Sequence, residues 1–223
     1  MIIMLIQYFK KAIYLSVLVG ISASIAGSYE DFFDAIKRDD AAAVKRLLKQ
    51  GFDPNTIDHK ARHALHLALM EPSPLAAQAL LDSPKTNLNH LNPEGESALM
   101  LAALKGQQAL AVKLIEKGAD VNKTGWTPLH YAATHGHLPL ISVLLDHHAY
   151  IDAESPNATT PLMMAAQYGS SAAVKLLLAE GADPLLKNQQ GLTAVDFAQR
   201  GNRPDSLEMI AASIRQKHPS GKW

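Results

Sequence analysis

Apolar residues recur along the chain in short bursts at helical spacing, and each pair of bursts is followed by a polar stretch rich in Gly, Asn and Asp. Leu129, Ala132 and Ala133 fall three and four residues apart, on one face of a short helix. Thr127 before them offers a capping hydroxyl, and Pro128 suits the first helical position, where no N–H partner is needed. Gly136 predicts the stop, because the turn that ends a helix favours a residue without Cβ. A second helix over Leu138–Asp146 carries Leu140, Ile141, Leu144 and Leu145 on a buried face. Ile151 and Asp152 then lead into the next polar turn. The grammar is helix, turn, helix, hairpin.

This unit repeats about every 33 residues, with equivalent starts at Ala61, Gly95, Gly125, Ala158 and Gly191. Upstream, Phe33 to Ile36 with Val44, Leu47, Leu48, Gly51, Asp53 and Asn55 form a first copy lacking the opening motif. The boundaries fall near 28–57, 58–91, 92–122, 123–154, 155–187 and 188–216. The fourth copy reads Gly125-Trp126-Thr127-Pro128-Leu129-His130-Tyr131-Ala132-Ala133, and its period and Thr-Pro-Leu-His signature resemble the ankyrin repeat. The resemblance implies an all-α solenoid over residues 28–223, with about six helix pairs and their hairpin loops stacked into one curved array. One such unit cannot bury its own apolar face, so stability must come from stacking. The first unit, rich in charge from Lys37 to Lys49, reads as a cap. The last has Thr193-Ala194-Val195-Asp196 in place of the signature, and the tail from Lys217 to Trp223 is expected to fray.

Departures from the repeat carry information. The second unit has Ala61, His63 and Ala64 where Gly, Thr and Pro are expected, and its helices are joined through Glu71-Pro72-Ser73-Pro74. Only two residues separate Asn122 from Gly125, against five in the other well-matched units. A notch in the row of hairpins is expected there.

Residues 1–26 stand apart. Lys10 and Lys11 precede an uncharged stretch from Ala12 to Ala26 that ends in small residues, the pattern of a secretory signal cleaved near Gly27. An uncleaved anchor is the rival reading, although its 15 residues fall short of the roughly 20 needed to span a bilayer. Met4 competes with Met1 as the start. Export predicts a periplasmic or secreted protein with no membrane span after signal removal.

Composition narrows the chemistry. The 21 basic and 21 acidic side chains leave no excess of cations to displace counterions from phosphates, so no nucleic-acid partner is expected. With no Cys there is no disulfide, thiolate metal site or cysteine nucleophile. None of the Gly-x-Ser-x-Gly, phosphate-loop or His-Glu-x-x-His motifs occurs, so no catalytic residue is assigned and no cofactor is expected. Of the ten histidines, the resemblance gives His66 and His130 structural hydrogen bonds, and His137 lies in a Gly-His turn. His135 and His137 form a His-x-His pair without a recognised metal spacing, so no metal ligand is assigned.

The resemblance instead implies a contact surface on the hairpin tips and the inner-helix face. Carried over, its positions include Arg62, Glu96, Lys105, Trp126, His135, Tyr168, Gln190 and Arg200. Tyr168 and Arg200 are expected to align at the ends of their units' first helices, and Trp126 either anchors a partner or packs along its own hairpin. The expected function is a non-enzymatic, monomeric, exported adaptor for a protein partner. The alternatives are a periplasmic inhibitor or immunity-type protein, and a metal-dependent or hydrolytic activity centred on the histidines.

Overall fold

The computed structural model describes residues 27–217; the expected signal segment and the tail beyond Lys217 lie outside the described residues. Six helix pairs form, and among the described residues no strand does; one antiparallel bridge joins Ile57 and His63. The first helix, α1, takes in residues 27–37. Then come α2 (Ala41–Lys49), α3 (Ala64–Met70), α4 (Pro74–Leu81), α5 (Ala98–Leu104), α6 (Gln108–Glu116), α7 (Pro128–His135) and α8 (Leu138–Asp146). Last are α9 (Pro161–Gln167), α10 (Ser171–Ala179), α11 (Ala194–Arg200) and α12 (Pro204–Lys217). Helices of seven to nine residues, which all but the first and last described are, would be marginal alone. Packing therefore has to hold them.

The caps follow the chemistry read from the sequence. Thr127, Thr160 and Thr193 are the N-caps of α7, α9 and α11, with Pro128 and Pro161 opening the first two of these helices. The Thr160 hydroxyl accepts the Met163 N–H at 3.4 Å, whereas the Thr127 hydroxyl turns to the His130 ring. Gly136 ends α7 in the left-handed conformation, at φ 67°.

The helices pack into two compact units, one up to Thr86 and one from Asn87 onward. In the first, α4 packs on α2 and α3. Phe32, Ile36, Val44, Leu65 and Leu80 are fully buried, and the Phe32 and Phe52 rings lie 4.3 Å apart. Asp39 Oδ1 accepts the Ala76 N–H at 2.7 Å, tying the turn after α1 to the start of α4.

In the second unit, α5, α7, α9 and α11 form an inner row, each packed on the next, and α6, α8, α10 and α12 form an outer row. Leu99, Leu129, Leu162, Ile141, Leu144 and Leu177 fill the space between the rows. Leu140 is buried with them, while Leu145 is only half-buried. Repeats are also joined by polar reach. Asn89, Asn122 and Asp152 accept the N–H groups of Asp120, Tyr150 and Asp183 at 2.9, 2.8 and 3.1 Å.

Hairpin tips close by single backbone bonds, such as Asn92 N–H to Glu96 O at 2.9 Å and Ser155 N–H to Thr159 O at 3.0 Å. The opening residues Ala61, Gly95, Gly125, Ala158 and Gly191 all have φ between 57° and 85°. Glycine adopts that region freely, whereas alanine is strained in it. The shortened tip before Gly125 is braced differently: Lys123 Nζ donates to Thr124 O at 3.0 Å and to Trp126 O at 3.3 Å.

Candidate functional site

Tyr131, Thr134 and His135 are three and four residues apart on α7, so they share the helix face turned away from its buried alanines. Because α7 packs on both α5 and α9, that face is flanked by Leu104 of α5 and Met164 of α9. These five side chains and Trp126 line a groove of about 210 Å³. Trp126 stands edge-on to His130, with ring centroids 5.1 Å apart, and is half-buried. It therefore does both things expected of it: it packs on its own repeat and lines an open surface.

The polar groups of the groove are mostly committed. Thr134 donates its hydroxyl to His130 O at 2.7 Å, and His135 Nδ1–H donates to Tyr131 O at 3.1 Å. The Tyr131 hydroxyl donates to Glu96 Oε1 at 2.7 Å, and Glu96 Oε2 accepts from Asn92 Nδ2 at 2.8 Å. Burial, reinforced by the Glu96 carboxylate, holds the Tyr131 phenol well above its usual range, so it remains a donor.

Behind the groove, His130 Nδ1 accepts from the Thr127 N–H at 3.2 Å and the Thr127 hydroxyl at 2.8 Å. Its Nε2–H donates to Thr159 O at 2.9 Å. Burial pushes its pKa down to about 4, so the ring is neutral and both nitrogens are occupied. This is the structural role that the signature implies. His137 Nε2–H donates to Leu104 O at 3.4 Å, and its ring stacks on His135 at 5.8 Å. Among the described residues, no group of three or more His, Asp or Glu side chains is placed to hold a metal ion.

The expected contact residues fall into distinct places. Lys105 follows Leu104 directly as the C-cap of α5 and is exposed. Counted from the N-caps Ser97, Thr127 and Thr160, the residues Lys105, His135 and Tyr168 occupy one position on three successive inner helices. Tyr168 is 54% exposed, with nothing covering its ring. Glu96 bonds to Tyr131 as described. Gln190 lies exposed at the last hairpin tip, where its neighbour Gln189 donates Nε2 to Pro156 O at 3.0 Å. Arg62 belongs to the first unit and is ion-paired to Asp58 at 2.7 Å and Glu71 at 3.9 Å.

The alignment of Arg200 with Tyr168 needs correction. Arg200 stands one position earlier from its cap Thr193, level with Thr134 and Gln167. The counterpart of Gly136 is Asn202, at φ 52°, not Gly201, at φ −78°. Gly201 is glycine for another reason: a Cβ there would collide with Gln167 O of α9.

Leu104, Tyr131 and Met164 went unread as surface residues, because apolar side chains in an inner helix look like core. The available signal was the spacing of Tyr131 to Thr134 and His135. A larger open hollow of about 600 Å³ at the last repeat is lined by Pro184, Leu185, Val195 and Ile214, and takes in none of the expected contact residues.

Residues 32–124, 74–155, 112–188 and 148–218 match the family described as Ankyrin repeats (3 copies). The chain is 34% identical over 187 residues to the B-cell lymphoma 3 protein homolog of Mus musculus, covering 79% of this chain and 42% of that one. It is 35% identical over 153 residues to the nuclear factor NF-kappa-B p105 subunit of Mus musculus, covering 66% and 16%. It thus spans less than half the length of these curated relatives. The human ASB11 ankyrin repeat domain superposes with a TM-score of 0.73 at 27% identity, covering 82% of each chain. One chain from the complex of the Bd0816 predatory endopeptidase of Bdellovibrio bacteriovorus with immunity protein Bd3460 superposes with a TM-score of 0.70 at 30% identity. That match covers 82% of this chain and 97% of the other.

Proposed function

Since the chain belongs to the ankyrin-repeat family, we propose that it is a non-enzymatic protein-binding module whose contact surface is the groove-bearing face of α5, α7 and α9. The observation that carries this reading is the groove itself, an apolar hollow lined by Trp126 and Tyr131 on the inner row. Aromatic side chains at the centre of a contact supply most of its energy when the partner excludes water from them. Exposed Lys105, His135 and Tyr168 extend the surface along three adjacent helices. The working form is a monomer, exported by the segment ahead of Gly27, whose two lysines and apolar stretch support that address.

A second reading, in which the protein inhibits an exported enzyme, has one observation in its favour. The likeness to a chain of the endopeptidase–immunity protein complex covers 97% of that chain at 30% identity. Affinity capture from a periplasmic extract, followed by a peptidase assay of the captured protein with and without this chain, separates the two. An adaptor leaves the partner's activity unchanged; an inhibitor suppresses it in proportion to occupancy. Failure of any partner to copurify in the face of a stable, exported chain would overturn both.

A further inference from the structure

We propose, resting on the reading of this face as the contact surface, that the groove receives one large apolar side chain from a partner segment whose flanking residues carry carboxylates. Size selects the first half of this statement. Small-molecule and cofactor sites usually enclose roughly 300–1,000 Å³, and a groove of about 210 Å³ falls below that range. It suits a single side chain. Polarity selects the same occupant. The Thr134 hydroxyl, the Tyr131 hydroxyl and His135 Nδ1 already bond to His130 O, Glu96 and Tyr131 O. A polar group pushed between Leu104, Trp126 and Met164 would lose its water and find little in exchange.

The rim selects the flanks. Lys105 is exposed beside Leu104, and Lys123 is held against Trp126 by bonds to backbone carbonyls alone. Neither ammonium group has a carboxylate partner among the described residues. The nearer carboxylate, Glu96, is bonded through both oxygens to Tyr131 and Asn92. Glu94, at the exposed tip of the third hairpin, is the remaining opposing charge and leaves the two lysines in excess. Unpaired cations around an apolar hollow favour a partner that brings its own anions, and set orientation and on-rate through them.

The test is a random-peptide display library selected on the immobilised full chain, followed by affinities of the enriched peptides made synthetically. Enriched sequences should share a Leu, Ile, Met or Phe next to Asp or Glu, and replacing that anchor by Ala should weaken binding about tenfold or more. Lys105→Glu, an exposed change that leaves folding intact, should weaken the acidic peptides about tenfold and restore binding to analogues with Lys flanks. Peptides with basic flanks, peptides lacking an apolar anchor, or no enrichment would each overturn the proposal. Acidic, apolar peptides that bind Trp126→Ala and Tyr168→Ala as tightly as the parent would instead overturn the reading of this face.

Discussion

His130 on α7 donates its Nε2–H to the carbonyl of Thr159 at 2.9 Å, so one buried ring fastens the fourth repeat to the hairpin of the fifth. Only the neutral ring can do this while Nδ1 accepts from Thr127. Burial lowers its pKa from 6.5 to about 4. A depressed pKa means that the stabilisation is complete above pH 6.5 and is lost as pH falls toward 4. The shift corresponds to about 3 kcal/mol. Urea melts at pH 7 and pH 4 should show the parent losing about that much more than His130→Gln; equal losses would remove this ring from the acid response.

Ala158 holds the opening position of the fifth repeat at φ 59°, where its counterparts Gly95, Gly125 and Gly191 have no Cβ to strain. The left-handed region costs an L residue roughly 1–2 kcal/mol, and glycine's freer unfolded chain returns about 0.4–1 kcal/mol of any relief. Ala158→Gly should therefore stabilise the protein by about 0.5–1 kcal/mol, read as a higher urea midpoint at unchanged slope. Gly125→Ala should move the midpoint the other way.

What the sequence made legible is what local chemistry dictates. Thr127, Thr160 and Thr193 announced their helices because a capping hydroxyl before a helix has few other uses. Leu144 declared itself core by spacing, and it is fully buried. The register of the last repeat misled because Gly201 and Asn202 both suit a helix end. Which one turns left-handed is decided by the packing of Gly201 on Gln167 O, a contact between neighbouring repeats. The groove was hidden for the same reason: nothing local distinguishes Leu104 or Met164 from core residues until α5, α7 and α9 are stacked.

Leu144→Ala should cost about 2–5 kcal/mol, from lost burial and the cavity left between the rows. Arg38→Ala should change stability by less than about 0.5 kcal/mol, because its side chain is exposed and pairs only with Asp34 across 3.7 Å of solvent-accessible surface. Denaturant melts of the two variants should preserve this order; the reverse order would contradict the stacked arrangement.

The claim that the α5, α7 and α9 face is the contact surface is tested most directly by the affinity of the captured partner for three variants. Tyr168→Ala and Trp126→Ala should each cost about 2 kcal/mol or more of binding, close to a thirtyfold loss. Lys175→Ala, exposed on the outer helix α10, should bind like the parent. Melting curves recorded alongside should show Tyr168→Ala and Lys175→Ala close to the parent. Full affinity in both inner-face variants, with a loss confined to Lys175→Ala, would place the contact on the outer row and contradict the account.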